Sequence, residues 1–319
     1  MHACGFRAFD TYNTIHLEGL ENGAAAALLD GCQRLAARYE RLFSHTLPES
    51  SLVRINRAGG AGGAGESELA QLVGKALEYC RASAGLFDIS VGPLVALWDF
   101  SAHAQEPRTV PQPAALARAL EHVGWSTVRV DGCTVELGDP AASLVLGGIA
   151  KGFIADELVA QLKRGGARHG LVNLGGNVRV FGGKASGEPF TIGLRAPRPS
   201  TPGTPDDQAV FATVQLFDGA VVTSGIYERA FTASDGSFYH HILDPRTGMP
   251  AATDVASASI VSACAIDGDA WATTLILMGR SSALECAEEL GGCEAVLVTR
   301  EGRVVHTGGI GSRVPFALC

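Results

Sequence analysis

The chain has 319 residues, with 25 Lys and Arg against 33 Asp and Glu and a formal net charge of −8. Hydrophobic residues make up 46% and charged residues 18%; that composition excludes a disordered chain and supplies a core without disulfide staples. The acidic balance speaks against a nonspecific binder of nucleic acid or of an anionic membrane, both of which need a basic surface, but leaves room for a local basic pocket for phosphate. No run of about 18 apolar residues suggests a membrane span, so no direct membrane insertion is expected. The first residues carry no basic stretch followed by an apolar one, and a cytoplasmic location is expected. Eight cysteines occur, at 4, 32, 80, 133, 264, 286, 293 and 319, without a Cys-x-x-Cys pair. They are expected to be mostly buried thiols.

In chain order, the alternation at 8–17 predicts a strand and the apolar stripe at 21–45 a long helix. The glycine-rich stretch 58–65 predicts a loop. A helix is predicted over 66–84 with Gly85 as its cap, a hairpin over 127–137 around Asp131-Gly132, and a helix over 151–164. Strands follow between 169 and 194, then a Pro-rich surface loop at 197–207. Further strands are predicted at 209–217, 219–223, 229–233 and 238–243. Helices at 267–278 and 281–290 precede two strands, 294–299 and 303–307, that close the chain. Blocks of strands and helices, rather than strict alternation, predict an α+β fold. Neither a GxGxxG nor a GxxxxGK[ST] phosphate loop occurs.

Four segments carry more polar chemistry than plain structure needs. Gly85-Leu86-Phe87-Asp88 offers an aromatic face and an acceptor beside the Val91-Gly92-Pro93-Leu94 turn; taken alone, a helix end packing on a turn is the better explanation. Leu144-Val145-Leu146-Gly147-Gly148-Ile149-Ala150-Lys151-Gly152 reads as a strand entering a helix through a glycine pair. Bare amides and Lys151 at that helix start favour an anion; an exposed lysine at a tight corner is the alternative. In Tyr239-His240-His241-Ile242-Leu243-Asp244-Pro245-Arg246-Thr247-Gly248, adjacent strand residues face opposite ways, so one histidine at most serves a given site. Asp269 and Thr273 share one face of an otherwise apolar helix. A carboxylate and a hydroxyl there suit a hard cation with oxygen ligands, Mg²⁺ rather than zinc. The alternative is capping by Asp267 and Asp269, with Thr273 bonding back to the helix backbone.

Together these segments resemble the ApbE family of FAD:protein FMN transferases. The resemblance runs through Phe9-Asp10-Thr11, Ser51-Leu52-Val53-Arg54-Ile55-Asn56, Gly85-Leu86-Phe87-Asp88 and Gly147-Gly148-Ile149-Ala150-Lys151-Gly152. It continues through Val172-Asn173-Leu174-Gly175-Gly176, Thr223-Ser224-Gly225, Tyr227-Glu228-Arg229, His241-Ile242-Leu243-Asp244-Pro245-Arg246-Thr247-Gly248 and Asp267-Gly268-Asp269. The number and order of these blocks are specific, although no single one decides.

The resemblance implies one T-fold-like α+β catalytic domain over 1–319, with mixed or antiparallel sheets and packed helices. It implies Mg²⁺ as cofactor, FAD as substrate, and a target flavoprotein that receives FMN on a Ser or Thr hydroxyl while AMP leaves. Carried over by position, the metal ligands are the Gly148 carbonyl, Asp269 and Thr273. His241 is the base, and Leu86, Phe87, Asp88, Lys151 and Ile242 contact FAD. Three positions depart from the family's usual residues. Val145 stands where Asp is frequent, His45 where Tyr often covers the flavin or adenine, and Ile226 where Asp or Asn is common. His45 keeps open a Mg²⁺-dependent FAD pyrophosphatase giving FMN and AMP. A flavin-binding carrier without turnover is the third reading.

Overall fold

The alternating residues near the start form two strands rather than the single one expected over 8–17. In the computed structural model, which describes residues 1–59, 63–64, 66–100, 109–197 and 209–319, β1 (His2–Ala8) and β2 (Thr11–Glu18) are joined by Phe9 and Asp10, both at φ 57°. A two-residue turn with both φ positive matches the right-handed twist of a hairpin. Phe9 is an unusual occupant of that conformation, and its N–H donates to Glu40 Oε1 at 2.6 Å. Residues 60–62, 65, 101–108 and 198–208, including most of the predicted Pro-rich loop, lie outside the described residues.

The chain continues through α1 (Asn22–Phe43), α2 (Ser51–Arg57), β3 (Gly63–Ala64), α3 (Ser67–Ala82), α4 (Gly92–Trp98) and α5 (Pro113–Leu120). Then come β4 (Val128–Asp131), β5 (Thr134–Leu137), α6 (Ala150–Arg164), β6 (His169–Leu174), β7 (Asn177–Phe181), β8 (Phe190–Arg195) and β9 (Val210–Leu216). The last part holds β10 (Gly219–Gly225), β11 (Ala230–Thr232), β12 (Phe238–His240), β13 (Val255–Ser262), α7 (Ala265–Met278), α8 (Arg280–Glu289), β14 (Cys293–Thr299), β15 (Val304–His306) and β16 (Phe316–Leu318). The fold is α+β, as the block pattern predicts. The strand expected over 238–243 stops at His240, and β16 follows the two strands expected to close the chain.

These elements group into two compact units. Unit 1 comprises Met1–Glu40, Ile149–Ser224 and Asp254–Cys319; unit 2 comprises Arg41–Gly148 and Gly225–Thr253. Each is assembled from segments far apart in sequence.

Unit 1 is built on an eight-stranded sheet of order β1-β2-β6-β7-β10-β13-β14-β15. The pairs β1–β2, β2–β6, β6–β7, β7–β10, β13–β14 and β14–β15 are antiparallel. On one face α6 packs against β7 and α7, and α7 packs against β13 and α8. On the other face Val180, Val221, Val261 and Val296 meet Ile192, Leu194, Ala212 and Val214 of the three-stranded sheet β16-β9-β8. Strand β13 is therefore covered on both sides and buried along all eight residues. Helix α7 has Ala265, Ile266, Gly268, Asp269, Ala270, Trp271, Ala272, Thr274, Leu275 and Ile276 buried, as expected of a helix that is apolar all round.

Unit 2 holds α2 to α5, the β3-β5-β4 sheet and the β11–β12 ribbon. Ser50 caps α2 by accepting the Val53 N–H at 3.0 Å. Asn56 pairs with the backbone of Leu144 in both directions, at 3.0 and 2.8 Å. A core of Leu94, Trp98, Phe100, Leu116 and Leu243, with Phe231 and Tyr239 against it, ties α4 and α5 to the ribbon.

All eight cysteines are free thiols, but only Cys32 and Cys80 are buried. The expectation of mostly buried thiols does not hold: Cys4 is on the edge strand β1, Cys286 is on the partly exposed α8, and the others lie in turns or at element ends. Burial pushes the Cys32 and Cys80 thiols up to about 12.

Candidate active site

In unit 1 the candidate polar groups gather where α6 meets α7. The segment before α6 is not a strand: Ser143 makes one bridge to Val91, and a turn at 147–149 leads into the helix. The first N–H groups of a helix have no partner inside it. That of Gly152 donates to Asp269 Oδ2 at 2.9 Å, and Asp269 is only 3% exposed. Its other oxygen, Oδ1, lies 4.0 Å from Lys151 Nζ. A side chain at position 152 would collide with the Ala265 carbonyl, so glycine is what allows the helices to approach.

One turn beyond Asp269, the Thr273 hydroxyl hydrogen-bonds with Ser224 Oγ at 3.2 Å. The expected back-bond to the helix backbone belongs instead to its neighbour, where Thr274 Oγ1 donates to Ala270 O at 2.8 Å. Capping is also done by a different residue. The start of α7 has no side-chain cap from Cys264. Its Ala265 and Ile266 N–H groups donate to Asp156 on α6, each at 3.0 Å. Asp267 and Asp269 lie inside the helix, too late to act as the N-cap. Asp156 also accepts from Arg179 Nε at 3.0 Å. Burial pushes its carboxyl above the ordinary carboxylate value, and the two amides and Arg179 only partly offset this. Sequence reasoning missed Asp156, which looks like any acidic residue within a helix and has partners more than a hundred residues away.

In unit 2 the ribbon places the two histidines. His240, the last residue of β12, is 4% exposed, with Nε2 3.3 Å from Ala251 O. His241 has left the strand and is half-buried. Its N–H donates to Arg229 O at 3.0 Å, and its Nδ1 lies 3.2 Å from the same oxygen. A carbonyl only accepts, so Nδ1 carries the hydrogen and Nε2 is the basic nitrogen of the neutral ring. Ile242 is buried and accepts the Ala251 N–H at 2.9 Å. The following turn is closed by Gly248 at φ 71°, whose carbonyl accepts from Trp98 Nε1 at 2.7 Å. Asp244 accepts from Arg246 through its backbone and guanidinium. The Arg246 side chain holds the Asp244 carboxyl below the usual range.

Elsewhere in unit 2, Leu86, Phe87 and Asp88 follow the left-handed Ala84 and Gly85 that end α3. Phe87 is buried and meets Tyr79 edge-on at 6.5 Å. Asp88 Oδ1 accepts from the Ser90 N–H and hydroxyl at 2.7 and 2.6 Å, and its Oδ2 from the Trp125 N–H at 3.2 Å. Val145 is brought to this loop by its N–H, which donates to Ile89 O at 2.8 Å. Gly148 is half-buried in the turn at 147–149. His45 is half-buried in the 44–46 turn after α1, where Ser44 Oγ accepts the N–H groups of Thr46 and Leu47.

Among the described residues no group of three or more His, Cys, Asp and Glu side chains could hold a metal. The oxygen set of Asp269 and Thr273 is a different kind of site. A buried carboxylate with one oxygen fixed by an amide and the other 4.0 Å from an ammonium is already arranged for positive charge, and it fits a hard cation.

A sequence model of the ApbE family matches residues 9–297. An FAD:protein FMN transferase of Klebsiella pneumoniae (strain 342) is 34% identical over 284 residues, 88% of this chain and 84% of that protein. One of Treponema pallidum (strain Nichols) is 34% identical over 304 residues, 90% of this chain and 81% of that protein. The crystal structure of the ApbE protein from Thermotoga maritima superposes with a TM-score of 0.86 at 28% identity, covering 96% of this chain and 97% of the other. The flavin transferase ApbE from Vibrio cholerae gives 0.82 at 25% identity, with the same coverage. Among the described residues no helix is long and apolar enough to cross a membrane.

Proposed function

The chain belongs to the ApbE family, and from that premise we propose that it transfers the FMN half of FAD, with Mg²⁺, to a Ser or Thr hydroxyl of a target flavoprotein and releases AMP. As an FAD:protein FMN transferase, the function its relatives' names carry, it takes FAD as substrate. The observation that carries the Mg²⁺ part is the pairing of buried Asp269, held by the Gly152 amide, with the Thr273 hydroxyl on one face of α7.

Asp269 and Thr273, with the Gly148 carbonyl, would hold the cation. When bound, Mg²⁺ neutralises charge that builds on the phosphates as the pyrophosphate opens. Lys151 supplies a further positive charge to the same anion. Leu86, Phe87, Asp88, Val145, Ile242 and His45 are assigned to flavin and adenine. The Nδ1–H of His241 is engaged by Arg229 O, so Nε2 takes the proton of the target hydroxyl. The hydroxyl oxygen bonds to the FMN phosphorus, the bridging P–O bond breaks, and AMP leaves with its electron pair.

Incubating the chain with FAD, Mg²⁺ and a candidate flavoprotein, followed by intact mass and AMP measurement, tests the reading. Transfer gives an acceptor heavier by one flavin phosphoryl group and equal AMP. AMP without a mass change identifies the pyrophosphatase that His45 keeps open. Neither product identifies a flavin carrier.

A further inference from the structure

Helices α6 and α7 cap each other. The orphan amide of Gly152 on α6 is taken by Asp269 on α7, and those of Ala265 and Ile266 on α7 are taken by Asp156 on α6. Asp156 lies four residues after Gly152, and Asp269 four after Ala265. The two latches are thus about one helical turn, roughly 5 Å, apart on each helix. One latch fixes a single point along α7; two at that spacing, added to its packing on β13 and α8, fix its direction and register against α6. Asp156 is itself anchored to the sheet, because Arg179 on β7 donates to it and also to Val180 O and Gly219 O, at 2.6 and 2.9 Å. Fixed points therefore run from the sheet through Arg179 and Asp156 to the first turn of α7, and along that helix to Asp269 and Thr273.

We infer that Asp156 is a positioning residue for the cation-binding face of α7. Through the Ala265 and Ile266 amides it sets where Asp269 Oδ1 and the Thr273 hydroxyl are presented. The inference rests on the proposed metal role of those two residues. It separates Asp156 from an ordinary cap, whose loss lowers stability and leaves the affinity of the folded protein unchanged.

The test uses Mn²⁺ as probe, titrated into the full chain without FAD and followed by the EPR signal of the free ion. Asp156→Ala is expected to weaken Mn²⁺ binding at least tenfold. Asp156→Asn, which keeps an oxygen acceptor for the α7 amides, falls between Asp156→Ala and wild type. Val214→Ala, in the core on the opposite face of the sheet, is the stability control: it lowers the melting temperature and keeps wild-type affinity. In turnover, Asp156→Ala raises the Mg²⁺ concentration needed for half-maximal rate, and saturating Mg²⁺ restores kcat to within threefold. If Asp156→Ala does not fold, Asp156→Asn decides alone, with threefold weakening or more expected and unchanged affinity overturning the inference. Wild-type Mn²⁺ affinity in folded Asp156→Ala, or parallel loss in Val214→Ala, also overturns it. No saturable binding in wild type removes the metal reading itself, a result distinguishable from either.

Discussion

The helix crossing in unit 1 and the histidine turn in unit 2 hold the groups proposed to do chemistry in opposite ways. At the crossing, Asp269 and Asp156 are fixed by amides 117 and 109 or 110 residues away, and α7 is buried along most of its length. At the turn, His241 leans on Arg229 O twelve residues earlier, and Asp244 on Arg246 two residues later. A change at the crossing that removes a hydrogen-bond partner or alters the packing therefore disturbs fold and chemistry together. One at the turn can remove chemistry and leave the fold standing.

Asp269→Asn should give the largest loss. Asparagine keeps an acceptor for the Gly152 amide but removes the charge proposed to hold a cation, so activity should fall by more than about a hundredfold. The circular dichroism spectrum should be unchanged, and excess EDTA should reproduce the loss in wild type. Full turnover in either case would dissolve the metal side of the comparison.

His241→Ala should slow FMN transfer by at least about a hundredfold, within the range for a general base, with FAD binding and melting temperature near wild type. His240→Ala should do the reverse, because the residue is 4% exposed, with its ring against Ala251 O. Stability should fall while the folded enzyme stays within threefold of wild-type rate. An active His241→Ala beside a dead but folded His240→Ala would exchange their roles.

Gly152→Ala sharpens the contrast from the structural side. Its methyl group would meet the Ala265 carbonyl, and overpacking of this kind costs about 1–3 kcal/mol. Chemical denaturation should register that loss, and FAD turnover should drop with it. A fully stable, active variant would show that the crossing is looser than its geometry.

The smallest effects concern pH. Asp244 lies below the usual carboxylate range because of Arg246. Its contribution is present above the unfolded-state value of about 4 and fades as pH falls through the lower folded one. Asp156 is raised by burial, so its contribution is greatest at low pH and declines as pH rises through the raised value. Asp244→Asn should therefore flatten the acid limb of the melting-temperature profile. Asp156→Asn should flatten the decline on the higher-pH side, on top of the general loss from its missing hydrogen bond. The Asp244 change should be slight, since the Arg246 side chain is 65% exposed and exposed ion pairs contribute little. Matching profiles for the two variants would contradict the opposite signs.

Local signals were legible in the amino-acid order. Amphipathic helices α1, α3 and α6, the Asp131-Gly132 hairpin and the shared face of Asp269 and Thr273 depend on periodicity and turn chemistry spanning a few residues. So did the family likeness, whose blocks keep their order along the chain. Strand β13 escaped because both of its faces are covered, which erases the alternation that marks a strand with one face in water. The Phe9-Asp10 turn escaped because phenylalanine is an unusual residue at positive φ. Asp156, Ser224 and Arg179 could be given their partners only by tertiary structure. Their hydrogen bonds join elements far apart in the chain, and a carboxylate in a helix carries no local mark of which distant amide it will meet.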